Sequence, residues 1–289
     1  MPELPEVQTT VNYLKLRVLK RTFIDVWSDW ERIIKKPNSF EQFKDKMKNK
    51  KIIKIRRRAK NIIFDLSGGY SLLVHQKMTG HLLLGKWEKI NDKWVAERQG
   101  LLNDPYNRFI HLVFFLDNKK MLALSDVRKF AKIELWYKEE LEKELKKLGP
   151  EPLDKNFTFE QFQKVFKNKK GKIKQVIMNQ NIIAGIGNIY SSEALWRAKI
   201  YPEKSVANLS KKELKSLYEA IKKVLEISIK LGGESFSDYR KPDGSKGNFD
   251  TERKIYKREG QKCSRCKTII KRMKIGQRSA FFCPHCQKL

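Results

Sequence analysis

The first 262 residues of this 289-residue chain contain no cysteine; all four fall in the last 27. Disulfide frameworks spread cysteines through a small secreted fold, so one is excluded for most of the molecule, and the clustering points to a metal site in an intracellular protein. Long apolar runs are missing too. The longest, such as 112–116, are strand-sized, well below the ~18–20 residues of a membrane span. The opening Met1-Pro2-Glu3-Leu4-Pro5-Glu6 has neither the basic nor the apolar region of a signal peptide, so a cytoplasmic address is expected. Acidic residues are scarce beside basic ones, 33 Asp+Glu against 63 Lys+Arg, a formal charge of +30. That excess predicts a polyanionic partner, nucleic acid first. A lysine-rich solvated surface gives the same count, so a second kind of observation is needed.

What is present supports a folded chain. Hydrophobic residues at 40% and aromatics at 11% remove the signature of disorder, and the length suits two domains, or one domain with a small module. Val7, Val11, Leu14 and Val18 are spaced for an amphipathic helix over 4–19, with Pro5 near its start and Glu3 and Glu6 at its positive end. Short apolar or alternating runs follow at 22–27, 52–55, 62–66, 71–74, 81–84, 110–116, 121–124 and 132–136, with turn signals at Gly68-Gly69 and Asp117-Asn118. They predict a β-sandwich. Leu148-Gly149-Pro150-Glu151-Pro152-Leu153 breaks the pattern, and helical periodicity begins beyond it. Thr158 with Gln161 and Ser210 with Glu213 read as capping boxes; the second opens a helix bearing Leu214, Leu217, Tyr218, Ile221, Val224, Leu225 and Ile229, closed by Gly232-Gly233. The glycine turn over 181–188 suits a helix-turn-helix.

Three features could carry chemistry. Cys263-x2-Cys266 and Cys283-x2-Cys286, sixteen residues apart, have the spacing of two knuckles sharing one tetrahedral zinc. Four thiolates leave no open position, so the metal is structural, and His285 reads as a surface residue. Lys262, Arg265, Lys267, Lys271, Arg272, Lys274 and Arg278 make the finger basic, suited to phosphate or simply solvated. Gly185-Ile186-Gly187-Asn188 could offer backbone N–H groups to a phosphate at a helix start, although a packing turn would look the same. The third feature is the N-terminus. Removal of Met1 would free the secondary amine of Pro2, and α-amino groups titrate near pH ~7.7–8.0, low enough to supply a nucleophile at neutral pH. Such an amine could capture a sugar carbon as an iminium ion, with Glu3 beside it as acid or base. An ordinary disordered terminus is the competing reading.

Met1-Pro2-Glu3-Leu4-Pro5-Glu6-Val7, Arg57-Arg58-Ala59-Lys60, His75-Gln76-Lys77-Met78-Thr79-Gly80, Gly185-Ile186-Gly187-Asn188-Ile189-Tyr190 and the run from Gly276 to Cys283 occur in this order and close in the four-cysteine finger. Together they resemble the bacterial formamidopyrimidine-DNA glycosylase family from residue 2 to about 287. The resemblance implies an α+β fold: an N-terminal helix and β-sandwich over 1–148, a helix-two-turn-helix domain over 149–233, and a lesion-capping loop with the zinc finger over 234–289. It implies a bifunctional DNA glycosylase and AP lyase of base-excision repair, acting on 8-oxoguanine and formamidopyrimidines. By the same resemblance Pro2 attacks C1′, Glu3 is the acid/base, Lys60 serves phosphate contact and β-elimination, and Arg278 serves δ-elimination. Met78, Arg128 and Phe130 fill the space left by a flipped nucleotide, Arg128 facing the orphaned cytosine. His75, Lys169, Lys174 and Asn188 contact DNA. One structural zinc on Cys263, Cys266, Cys283 and Cys286, a monomer, and a duplex partner with the lesion opposite cytosine complete the expectation, together with attachment to the nucleoid through DNA.

Several positions depart from the family pattern. Gln76 replaces a leucine, Val127 a proline and Ala131 a glycine; 86–108 is longer than in typical members; and a phosphate-contacting histidine is missing, with His111 only its neighbour. The nearest rival is an endonuclease VIII-like enzyme for oxidised pyrimidines. Leu4, where that branch has glycine, and the full loop 232–244 favour the purine branch. A noncatalytic zinc-containing DNA binder would not need Pro2 and Glu3 together. A ribosome-associated basic protein would account for the charge and the finger but not for the ordered motifs.

Overall fold

The first helix, α1 (Leu4–Val18), starts where Pro5 and Glu6 fix its first turn. The Glu6 carboxylate reaches back to accept the Glu3 N–H at 2.7 Å, which supplies a partner the helix itself cannot. Val7, Val11, Leu14 and Val18 are wholly buried. This computed structural model describes residues 1–235 and 238–288. They form two compact units, Met1–Lys146 with Leu231–Asp250, and Lys147–Lys230 with Thr251–Leu289. The sequence suggests three consecutive blocks; the fold instead returns Leu231–Asp250 to the first unit, where the Glu234 N–H donates to Glu6 at 2.8 Å.

The first unit continues through β1 (Thr22–Ser28), β2 (Ile34–Lys36), α2 (Phe40–Met47), β3 (Lys50–Arg58), β4 (Asn61–Leu66), β5 (Tyr70–His75), β6 (His81–Gly85), β7 (Trp87–Ile90), β8 (Lys93–Ala96), β9 (Ile110–Leu116), β10 (Met121–Ser125), β11 (Lys132–Tyr137) and α3 (Lys138–Leu145). Nine strands run in the order β2-β11-β5-β4-β3-β1-β9-β10-β6. β1 meets β3 only through Thr22↔Lys51 and Phe23↔Lys50, so the sheet divides there into the two layers of a sandwich. Phe23 stands at that joint, its ring 6.4 Å from Phe64 of β4 and 5.3 Å from Phe114 of β9. The long segment 86–108 begins with the hairpin β7–β8. Its Trp94 packs on Trp27 and Phe115, and with Trp87 it covers Leu83, Val113 and Ala123 on the other face of the sheet.

In the second unit the helices are α4 (Phe159–Phe166), α5 (Ile173–Met178), α6 (Asn188–Ala198) and α7 (Lys211–Lys230). Both expected capping boxes form: Thr158 with Gln161 at α4, and Ser210 with Glu213 at α7. Leu217, Ala220, Ile221, Val224 and Leu225 are the buried stripe of α7. The finger ends in the hairpin β12 (Lys271–Ile275) and β13 (Arg278–Phe282). Its small core borrows Trp196 from α6, packed with Ile255, Ile270 and Phe281. The buried Glu193 carboxylate accepts the N–H groups of Lys254, Ile255 and Tyr256, each at 2.9 Å. No helix is long and apolar enough to cross a membrane among the described residues.

Because Phe23 fills the joint between the two layers and is fully buried, Phe23→Ala is expected to cost about 3–5 kcal/mol. Urea unfolding of the whole protein measures it, and a loss below about 1 kcal/mol would show that the joint is not where the core is decided.

Candidate active site

Met1 itself is 40% exposed, but the residues after it are enclosed. Pro2 is buried, and Glu3 and Glu6 are 2% and 1% exposed. Glu6 holds both ends of the enclosure, one carboxylate oxygen accepting from Glu3 N–H and the other from Glu234 N–H. Its carbonyl accepts from the hydroxyls of Tyr239 and Thr10, both at 3.0 Å. Gly233, with φ of +84°, lies so close that a Cβ would come within 2.9 Å of the Glu6 side chain, so only glycine fits. Read from the sequence, Glu6 is merely an acid suited to a helix start. Its partner lies 228 residues away, beyond any local signal.

Burial pushes the α-amine of Met1 below its ordinary value; the carboxylates of Glu3, Glu6 and Asp238 pull it back up, and Lys60 pushes it down. Lys60 is itself 6% exposed, on the β3–β4 turn where Ala59 adopts φ of +54°. Arg57 fixes that turn by donating to Ala59 O at 3.0 Å and to Gln8 of α1 at 2.9 Å. Pro2, Glu3 and Lys60 therefore share the first unit with His75. Burial, with help from Lys77, Lys60 and Lys132, pushes the His75 imidazole down to about 3. The Lys77 N–H donates to its Nδ1 at 3.0 Å, which puts the proton of the neutral ring on Nε2.

Met78, Arg128 and Phe130 sit on two loops held to each other. Thr79 Oγ1 bonds the Asp126 carboxylate. Asp126 also accepts the Ala131 N–H at 2.7 Å, and Thr79 accepts the Arg128 N–H at 3.2 Å. Phe130 is 51% exposed, with the Arg128 guanidinium 4.6 Å over its ring. Met78 and Phe130 line a cavity of about 440 Å3 with Met1, Trp30, Lys77 and Lys129. This is not core packing. Gln76, in contrast, is 1% exposed, and neither of its amide atoms meets a hydrogen-bond partner among the described residues. His111 is engaged by Asp29 at 2.9 Å. The loop 232–244 includes Phe236 and Ser237, which lie outside the described residues.

In the second unit Lys169 is exposed and Asn188 opens α6. The Asn188 Oδ1 is buried without a hydrogen-bond partner among the described residues. Gln180, passed over in the sequence, shapes the glycine turn: it accepts from Gly185 N–H and donates to Ile186 O, both at 2.8 Å. Lys174 lies inside the unit. It is 1% exposed, and its ammonium donates to Ser191 at 3.0 Å, Ser192 at 2.7 Å and Asn188 O at 3.3 Å, supporting the first turn of α6 from inside. Arg278 is exposed near the tip of the β12–β13 hairpin.

The four cysteine Sγ atoms lie within 4.8 Å of one another. Tetrahedral zinc with bonds of ~2.3 Å needs sulfurs about 3.8 Å apart, so the set fits the ion. Hydrogen bonds from Thr268 hold Cys266 down at about 6, while burial and the neighbouring sulfurs push Cys286 up to about 12. Four crowded thiolates need a cation among them, and the site holds one structural zinc. His285 is exposed and outside the cluster.

Two measurements check these assignments. Cys263→Ser is expected to lower bound zinc from one equivalent toward none and to lower the melting temperature; unchanged metal content would refute the four-sulfur site. For His75, the unfolded chain takes up a proton near pH 6.5, which the folded state refuses until about 3. Stability is then fully present above pH 6.5 and falls as pH drops through that window. NMR should find no His75 titration between pH 8 and 5, whereas a midpoint near 6.5 would refute the burial effect.

Comparison with known proteins covers the same parts. The model of the formamidopyrimidine-DNA glycosylase N-terminal domain matches residues 1–133, that of the formamidopyrimidine-DNA glycosylase H2TH domain residues 148–240, and that of a zinc finger found in FPG and IleRS residues 260–289. The formamidopyrimidine-DNA glycosylase of Pelotomaculum thermopropionicum is 38% identical over 293 residues, covering 100% of both chains. That of Herpetosiphon aurantiacus is 37% identical over 99% of this chain and 100% of its own. A Lactococcus lactis FPG variant, solved with DNA containing Fapy-dG, superposes with a TM-score of 0.87 at 33% identity, covering 100% of both chains. A MutM structure with DNA containing carbocyclic 8-oxo-G gives 0.86 at 33%, with the same coverage. With all its parts and its full length matched, the chain belongs to the formamidopyrimidine-DNA glycosylase family.

Proposed function

We propose that this chain is a bifunctional DNA glycosylase and AP lyase that removes oxidised purines, chiefly 8-oxoguanine and formamidopyrimidines, from duplex DNA in base-excision repair. The carrying observation is that Pro2 and Glu3 are buried together at the start of the chain, one residue after an α-amine that feels Glu3, Glu6, Asp238 and Lys60. The DNA-bound relatives, with Fapy-dG and 8-oxo-G, support the substrate class.

After loss of Met1, the lone pair of Pro2 forms the bond to C1′ as the bond to the base breaks, and the base leaves with the electron pair and takes up a proton. Glu3 delivers a proton to the ring oxygen O4′ as the sugar opens to the iminium ion. The positive nitrogen acidifies the C2′ protons; losing one expels the 3′ phosphate, beside Lys60, and a second elimination expels the 5′ phosphate, the step assigned to Arg278. A one-nucleotide gap with phosphates at both ends remains. Base excision requires the nucleotide to leave the stack. The exposed Phe130 and Arg128 and the neighbouring Met78 support their role as fillers of the vacated space, with Arg128 opposite cytosine. Neutral His75, Lys169 and Asn188 are assigned to the DNA backbone. Lys174 is assigned to it through α6. The protein works as a monomer in the cytoplasm, at the nucleoid through its DNA.

Borohydride trapping on duplexes with 8-oxoguanine opposite cytosine, with thymine glycol, and without damage tests this reading. A covalent adduct mainly with 8-oxoguanine is expected. Trapping only on thymine glycol would move the chain to the oxidised-pyrimidine branch, and tight binding without any adduct would make it a lesion binder. Pro2→Gly should lower lyase activity by about a hundredfold or more while DNA affinity changes little; undiminished trapping would remove Pro2 as the nucleophile.

A further inference from the structure

The segment 101–107, which the mechanism above does not use, joins two loops of the first unit through side chains away from the chain start. On one side Asn107 Nδ2 donates to Leu101 O at 2.9 Å and to Gly244 O at 3.4 Å. The Arg240 Nε lies 3.1 Å from Asp104 Oδ2, and its guanidinium stands 4.6 Å over the Tyr106 ring. Gly244, with φ of +87°, is pressed so closely onto the segment that a Cβ would come within 2.5 Å of Leu101 O. The Leu84 N–H completes the seat by donating to Pro242 O at 2.7 Å.

On the other side Asn107 Oδ1 faces His81 Nε2 at 2.9 Å. Two carbonyl acceptors fix the Asn107 amide, so its oxygen is the acceptor and His81 carries its proton on Nε2. With the proton on Nε2 the other ring nitrogen cannot donate, so its 3.3 Å approach to Thr79 O is a packing contact rather than a hydrogen bond; Thr79 bonds Asp126, which holds the Ala131 N–H. A parallel path runs through Ser125 Oγ, which donates to Tyr106 O at 2.8 Å, and through Asp126 N–H, which donates to Phe109 O at 2.8 Å. Asn107, His81, Thr79, Asp126 and Arg240 are all buried. Buried polar contacts of this kind favour one geometry, because displacing them strands donors or acceptors away from water.

We propose that Asn107, assisted by Asp104, is a positioning residue that sets the returning arm of the 232–244 loop in register with the loops carrying Met78, Arg128 and Phe130. The inference rests on the function proposed above, in which the loops of Met78, Arg128 and Phe130 fill the vacated space, and on the lesion-capping role that the family resemblance implies for the 232–244 loop. Excision needs both events at once. Cleavage at a preformed abasic site has no base to receive and depends on the brace far less.

The test uses the full-length zinc-loaded protein. In Asn107→Ala, single-turnover excision of 8-oxoguanine should fall by about tenfold or more, while cleavage of a preformed abasic duplex by the same preparation falls by less than about threefold. Amide exchange at Arg128 and Ala131 should quicken, although neither touches Asn107. Asp104→Asn, which loosens only the Arg240 side, should lower the excision-to-cleavage ratio less and leave exchange at Arg128 and Ala131 unchanged. Equal loss of both reactions in Asn107→Ala, or an unchanged ratio in Asp104→Asn, overturns the brace, as does unchanged exchange at Arg128 and Ala131 in Asn107→Ala. A wild-type protein inactive on both duplexes strikes the functional reading instead. The exchange measurement needs no activity, so the two failures are distinguished.

Discussion

One buried carboxylate ties the start of the chain to a segment that returns 228 residues later. A chain terminus is ordinarily the least ordered part of a protein, whereas the nucleophile proposed there has to be held to within a fraction of an ångström. Glu6 resolves the conflict by taking N–H groups from Glu3 on its own helix and from Glu234 on the returning segment. Charge-assisted bonds of this kind are about twice as strong as neutral ones, and here both are buried. The Tyr239 hydroxyl on the Glu6 carbonyl and the bare Cα of Gly233 against its side chain tighten the same joint. Met1–Lys146 and Leu231–Asp250 form one unit in part because this carboxylate has partners in both.

Burial at that joint works with the basic surface rather than against it. The net charge of +30 draws a polyanion over distances of about a Debye length, but a protonated amine is no nucleophile, so the groups that react or donate must escape the charge that the rest of the chain carries. Removal from water lowers the Met1 α-amine and His75, and the nearby Lys60 pushes both in the same direction. Glu3, Glu6 and Asp238 oppose the shift of the amine. The enclosure favours the neutral amine, and its carboxylates limit how far.

Much of this was legible from local pattern. Capping pairs at Thr158 and Ser210, the period of α1, the strand runs and the cysteine knuckles all depend on residues a few positions apart, and each appears in the structure. The hairpin over 86–97 was legible too but went unread: Asn91 and Asp92, both at positive φ, separate two short runs that each contain a tryptophan, the pattern of a two-residue turn. Glu6 and Asn107 could not be read, because their partners lie 228 and 137 residues away. Lys174 is a different case. The resemblance assigns it to DNA, and only the fold reveals that its ammonium donates to two serines and a carbonyl on α6.

The same distinction between local signal and distant partner explains what the zinc does for the second unit. Four sulfurs make the knuckles, but the finger has too small a core to stand alone, and its attachments run to α6. Trp196 fills its interior, Arg265 donates to the carbonyls of Trp196 and Arg197, Gln287 donates to Ile200 O, and Glu193 takes three successive N–H groups of the chain leading into it. Burial pushes Glu193 upward while those N–H groups pull it down, so the anchor depends on their staying in place. At the opposite end of α6 stand Asn188 and the turn shaped by Gln180. A structural ion that never meets a substrate therefore helps to fix the helix whose first turn is suited to a phosphate.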